Sequence, residues 1–264
     1  MLSFVIAEKE KHVNRDRTTR STAELTGSYP RVHGGKLLLT TALALILAIG
    51  VPTMAGATAN ANALAPSLGA AANFAVLAGA AVTCTNATVT GNIGVFPGNA
   101  ITQTTCPVIG ALDGGDAAAA QAATDAALAS TALAAQPCDV TLTGLGSLTL
   151  APGVYCFDAA ATETGGVLTL SGPSDGIWIF KIGTLGTLGT GALTGTGFTV
   201  ALDGGAQACN VYWRVADAAT LTDSVFVGTI IGGADITLTR GTYNGRIVAA
   251  AGITITGTAF TGCN

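Results

Sequence analysis

Charge is scarce in this chain: Asp, Glu, Lys and Arg make up 10% of its 264 residues. Aromatics account for 5%, and there are two histidines, His12 and His33. Both fall in an N-terminal stretch that reads as a leader, so the remainder holds no imidazole. That removes the commonest acid–base and zinc-ligand arrangements, and no cofactor or metal is expected. Beyond residue 63 there are four basic residues against eleven acids, which makes nucleic acid a poor partner. The longest apolar run, residues 37–51, is shorter than the ~18–20 residues of a membrane span, and Pro52 closes it. With 49% hydrophobic residues and a net charge of -4, the chain does not fit the composition of a disordered protein.

What is present divides sharply. Arg31 and Lys36 precede the apolar core 37–51, and Ala57-Thr58-Ala59 and Ala61-Asn62-Ala63 offer small-residue cleavage sites. This is the layout of a signal peptide, so residues 1–63 are expected to be a leader and 64–264 a single secreted domain. The polar stretch before Arg31 is long for a leader and fits a start codon placed too far upstream. All six cysteines (Cys84, Cys106, Cys138, Cys156, Cys209, Cys263) follow the leader, as disulfide-forming residues of an exported protein would.

In the mature region, residues 68–110 are short apolar runs broken by Gly, Asn and Pro, which predict strands and turns. The stretch "DAAAAQAATDAALASTALAAQ", 116–136, is dominated by alanine, opens on Asp116 and stops at Pro137, so it predicts a helix. Strands resume at Val140. There the chain repeats itself every seventeen residues. The shift aligns Thr220, Thr237 and Thr254, then Thr222, Thr239 and Thr256. It also aligns Phe226, Tyr243 and Phe260, and the glycines Gly228, Gly245 and Gly262. A strand-rich repeat this short suits one coil of a β-solenoid. Because strand neighbours alternate in direction, Ile236, Leu238, Ile253 and Ile255 would point inward and the threonines outward. One outward Thr reflects ordinary strand propensity; six in two columns ask for more. "GIWIFKIG" and "VYWRV" are apolar on both faces and predict strands covered on two sides, with the Ala-rich helix as the cover.

The motifs "LGAAANFAVLAG", "GNIGVFPG", "GDAAAAQA", "LTLAPGVYCF", "GIWIFKIG", "GGAQACNVYWRV" and "NGRIVA", in this order over residues 68–263, resemble the secreted microbial ice-binding (antifreeze) proteins. The resemblance implies a mainly β fold, a discontinuous β-solenoid (β-helix) with one long helix packed along one face. It further implies that ice or ordered water is the partner. The ice-binding positions it points to are Thr220, Thr222, Thr237, Thr239, Thr254 and Thr256, with Thr169, Thr194 and Thr196 as weaker extensions.

Two other classes compete. A secreted matrix or adhesion module could turn the same face to extracellular polysaccharide, and the chain's last residues, Cys263-Asn264, carry no hydrophobic tail or sorting signal. A carbohydrate-active β-helix enzyme would need paired carboxylates in a groove. Asp217, Asp223, Asp235, Arg240 and Arg246 are the local candidates, and their alignment with Ala and Gly looks like coil corners, so no enzyme is expected. Gly-rich 183–197 lacks the Lys-Ser/Thr ending of a phosphate loop. Six cysteines allow fifteen pairings. Cys138 with Cys156 would tie the helix exit to the next strand, and Cys84 with Cys106 would brace the N-terminal loops. Cys209 with Cys263 remains, but the repeat puts Cys209 three coils from the end, beyond the ~7 Å Cα limit of a disulfide. Cys209 is therefore expected to be a buried free thiol.

Overall fold

A computed structural model describes residues 63–183 and 191–263. The leader, its apolar core and the cleavage sites before Ala63 lie outside the described residues, as do residues 184–190 of the Gly-rich stretch. The strand Ile236–Ala249 shows how sequence becomes coil. Ile236 and Leu238 are buried while Thr237 and Thr239 turn partly outward, as the two-residue strand period requires. The preceding strand, Ala219–Gly232, lies parallel beside it with Thr220 against Thr237, Phe226 against Tyr243 and Gly228 against Gly245. The seventeen-residue offset is thus one turn of a solenoid with three faces.

The glycine column has a steric cause. Gly245 has φ +155, and a Cβ there would sit 1.9 Å from the Gly228 carbonyl oxygen of the next coil. Side chains on the inner surface stack coil upon coil. Tyr155, Phe180 and Trp213 form one file, with ring centroids 5.5 Å and 3.9 Å apart. Phe226, Tyr243 and Phe260 form another, at 5.7 Å and 4.8 Å. Stacking of this kind adds to the burial of large rings in a core with few of them.

The helix, Ala117–Ala135, matches the expected 116–136. Asp116 caps it, its carboxylate accepting from the Ala119 N–H at 2.8 Å. Ala119, Ala122, Ala126, Ala129 and Leu133 are buried. Together with Phe74, Leu77, Val154, Ile179 and Val248, most of them build a second core under the helix, distinct from the solenoid interior. Strands Trp178–Ile182 and Val211–Val215 are accordingly buried on both sides, the former throughout. Lys181 donates to the Ala134 and Gln136 carbonyls at 2.8 Å and 2.6 Å, satisfying acceptors that the helix end leaves over.

The stack is not built in chain order. The strands Phe74–Ala78, Ala81–Thr85 and Thr88–Thr90 pair in parallel with the last coil of the chain, at 247–249, Ile253–Thr256 and Ala259–Gly262. The N-terminal coil therefore follows the C-terminal one. This is the discontinuous solenoid that the motifs led us to expect.

Disulfides Cys84–Cys106 and Cys138–Cys156 are both formed. The expectation of a free Cys209 thiol is overturned: Cys209 is bonded to Cys263, with Cα atoms 5.7 Å apart. The repeat placed Cys209 in the Phe226 column, but residues Ala208–Asn210 leave the ladder as a 3-10 turn. That turn packs against both Ala219–Gly232 and Ile236–Ala249, crossing laterally over the coils that were thought to separate the two cysteines.

Candidate functional site

The helix packs on the face that includes Phe74–Ala78, Trp178–Ile182 and Val211–Val215, and the threonines stand on another. Strand Ala161–Thr164 pairs with Leu193–Thr196, placing Thr162 by Thr194 and Thr164 by Thr196. Leu193–Thr196 pairs with 219–222, so that Thr194 meets Thr220 and Thr196 meets Thr222. Thr237 and Thr239 follow, then Thr254 and Thr256. Here the chain order breaks and the ladder does not: Thr254 lies beside Thr83 and Thr256 beside Thr85. Thr102 and Thr104 complete the file. Seven Thr-x-Thr rungs thus stand in register through six parallel junctions, without a bulge.

Strand geometry sets the dimensions. Coils about 4.8 Å apart make the array about 29 Å long, and the two columns stand about 6.6–6.8 Å apart. Every threonine in it is exposed or half-exposed. The side chain between each pair points inward, except at Gly195, which has none. It is Leu221, Leu238, Ile255 and Cys84 in the other middle rungs, all buried. At the two ends it is polar. Glu163 accepts from the Leu145 N–H, and Gln103 donates to the Cys106 carbonyl at 3.3 Å, so the terminal coils close the core with hydrogen bonds.

One more regularity borders the array. The residue after every second threonine is left-handed: Gly165 (φ 67), Gly197 (60), Asp223 (52), Arg240 (57), Gly257 (63), Asn86 (49) and Thr105 (51). This column is the corner where the chain leaves the threonine face. Its amides continue the ladder, as where Gly197 N–H donates to the Thr222 carbonyl at 2.9 Å. Asp223 and Arg240, expected at coil corners, form a bidentate pair there at 2.6 Å and 2.7 Å. The hydrogen-bonded guanidinium holds the Asp223 carboxyl below its ordinary pKa. The two charges neutralise each other beside the array rather than within it.

Of the nine threonines singled out from the sequence, Thr220, Thr222, Thr237, Thr239, Thr254, Thr256, Thr194 and Thr196 come together here. Thr169 does not. It lies on the third face, between Thr149 and Ala201. Six members of the array were missed: Thr83, Thr85, Thr102, Thr104, Thr162 and Thr164. Their coils are longer than seventeen residues or lie before the helix, so a fixed shift passes over them. A scan for apolar-Thr-x-Thr would have found "VTCT" and "ITQT", and "ATET" with Ala leading. Among the described residues no group of His, Cys, Asp and Glu is placed to hold a metal.

The profile of the ice-binding-like family matches residues 76–261, nearly all of the solenoid. An ice-binding protein of Nostoc sp. (strain HG1) is 38% identical over 178 residues, covering 64% of this chain and 63% of that protein. Ice-binding protein 1 of Shewanella frigidimarina is 34% identical, and the chain spans 23% of its length. The chain thus spans less than two thirds of either of these two relatives. Ice-binding protein K3-B1 of Typhula ishikariensis is 31% identical, covering 69% of this chain and 84% of its own. Among solved structures, an ice-binding protein from an Antarctic biological consortium superposes with a TM-score of 0.69 at 34% identity, covering 77% of this chain and 94% of that one. The ice-binding protein of Antarctomyces psychrotrophicus gives 0.69 at 32% identity, covering 76% and 100%. With the solenoid, the lateral helix and the matched span in agreement, this chain belongs to the ice-binding-like family.

Proposed function

We propose that the protein is exported and adsorbs to ice through the seven-rung threonine array, slowing ice growth or recrystallisation. The observation that carries this reading is the unbroken register of fourteen threonines on one uncharged sheet face. Each Thr offers a methyl and a hydroxyl at a position repeated in two directions, and such a grid can hold water in an ice-like order. Each such interaction is weak. Affinity comes from many made at once by a surface that needs no ordering on binding. A stacked solenoid provides that rigidity. The relatives' names, which are those of ice-binding proteins and not of enzymes, support the same reading. Export rests on the leader-like N-terminus and on the three disulfides.

The test is thermal hysteresis and recrystallisation inhibition by the mature domain. Thr237→Lys combined with Thr254→Lys puts two charged stems in the centre of the array. A change of 1.4 kcal/mol in binding free energy is tenfold in affinity, so activity should fall roughly tenfold or more. Thr83→Lys should impair it comparably, because Thr83 is the ladder neighbour of Thr254 despite its distance in sequence. A wild-type protein without effect on ice, or lysine variants as active as wild type, would overturn the reading. Inactivity of the central pair but full activity in Thr83→Lys would confine the surface to the three seventeen-residue coils.

A further inference from the structure

The helix covers its face unevenly. Along one flank runs the N-terminal segment, with Asp125 accepting from the Ala70 N–H at 2.7 Å and Gln136 exchanging hydrogen bonds with Leu64 at 2.9 Å and 2.8 Å. Along the other flank lies a groove of about 390 Å³. Its helix wall is Ala123, Ala127 and Ser130; its floor includes Ile231 and Val248. It crosses five stacked strands, from Val215 through Gly232, Ala249 and Ala78 to Phe96–Pro97. Four coil spacings make it about 19 Å long.

The groove is mainly apolar, with one cation. Arg214 lines it at the Val215 end. Its Nε is buried without a hydrogen-bond partner, and it has no ion pair among the described residues. The neighbouring Lys181 is engaged by the helix carbonyls and offers it only like charge. The guanidinium has no counter-charge among the described residues, and a carboxylate is the partner its fork fits best. The floor strands already commit their amides to parallel neighbours, so the groove offers no free strand edge for a peptide to pair with. An elongated, mainly apolar groove with one cation at its end matches an alkyl chain with an anionic head.

We propose that this groove binds a free fatty-acid anion, its chain beside the helix and its carboxylate on Arg214. The volume falls within the ~300–1,000 Å³ usual for small-molecule sites. The site lies on the helix-covered face and not on the threonine face, so it stands or falls independently of ice adsorption.

The experiment is calorimetric titration of the mature, delipidated domain with sodium dodecanoate, with dodecanol as the uncharged probe of equal length. One dodecanoate per chain is expected, with dodecanol at least about tenfold weaker, the loss of a hydrogen bond to a charged group. Arg214→Met should bring dodecanoate down to the alcohol's affinity. Ala127→Phe, at an exposed helix position where folding is undisturbed, should block both probes by filling the slot. The inference is overturned by absence of saturable dodecanoate binding, by equal affinity for alcohol and acid, or by undiminished binding in Ala127→Phe. Circular dichroism melting of each variant separates a binding defect from a folding defect.

Discussion

Tyr155 sits in the inner aromatic file, 4% exposed, with its hydroxyl donating to the Ala151 carbonyl at 2.7 Å. Burial, reinforced by the charge of Asp139, raises its pKa to about 12. Burial also pushes Tyr243 well above 10, its hydroxyl donating to the Gly228 carbonyl at 2.8 Å. A phenol whose pKa is higher folded than unfolded gives stability that is complete below the unfolded value. That stability disappears as pH climbs through the folded value. For Tyr155 the window runs from about pH 10 to about 12, and two units correspond to about 3 kcal/mol. Lys181 has the opposite sign. Burial lowers its pKa, so its contribution improves as pH rises toward the unfolded value. Denaturant unfolding across this range should therefore show stability falling above pH 10. In Tyr155→Phe, stability should start about 1 kcal/mol lower at pH 8, for the missing hydrogen bond, and then decline less steeply. Parallel declines in the two proteins would remove Tyr155 from the account.

Strands and corners carry the next level. Each rung of the threonine face ends in a left-handed residue, a conformation that costs an ordinary L-residue about 1–2 kcal/mol. Gly165, Gly197 and Gly257 escape that cost, Asn86 and Asp223 tolerate it, and Arg240 pays it; Thr105, at φ 51, is the one β-branched residue among them. Thr105→Gly should relieve the backbone while giving back up to about 1 kcal/mol of unfolded-state entropy. A net gain of about 0.5–1 kcal/mol is expected, read as a higher melting temperature; a lower one would mean that the Thr105 side chain holds the terminal coil. The corners also show what could be read in the sequence. The seventeen-residue shift found Thr220, Thr237 and Thr254, because Ala219–Gly232 and Ile236–Ala249 run through three faces with no insertion. The alanine run with Asp116 ahead and Pro137 behind announced its helix by local chemistry alone. Thr162 and Thr164 escaped because 32 residues, not seventeen, separate them from their ladder partners Thr194 and Thr196. Cys209 was misplaced for a related reason: three residues of 3-10 turn broke the register from which its distance to Cys263 was counted. Thr169 was misassigned because "VLTLSG" has a rung's alternation, and alternation alone does not say which of three faces a strand occupies.

At the scale of the whole molecule, the last coil of the chain is an interior layer. Ile253–Thr256 is held between 236–239 on one side and Ala81–Thr85 on the other, and Ala259–Gly262 between Thr242–Gly245 and Thr88–Thr90. This coil must stay seated for the N-terminal coil to have anything to stack on. The Cys209–Cys263 bond secures it immediately after its final strand, across a sequence separation of 54 residues. On the loop-entropy model a crosslink of that span stabilises by about 4 kcal/mol. Cys209→Ser combined with Cys263→Ser should therefore unfold at lower denaturant, and where the protein loosens is more telling than by how much. Release of the last coil would loosen its neighbours on both sides of the chain break. Hydrogen exchange should then quicken together in 253–262 and in 74–90, while Gly153–Phe157 and Trp178–Ile182, far along the stack, keep their protection. Quickening confined to 260–263 would mean that the bond merely tidies a terminus. Joint quickening would establish that two ends of the sequence form one cooperative layer, across which the threonine ladder passes from Thr254 to Thr83.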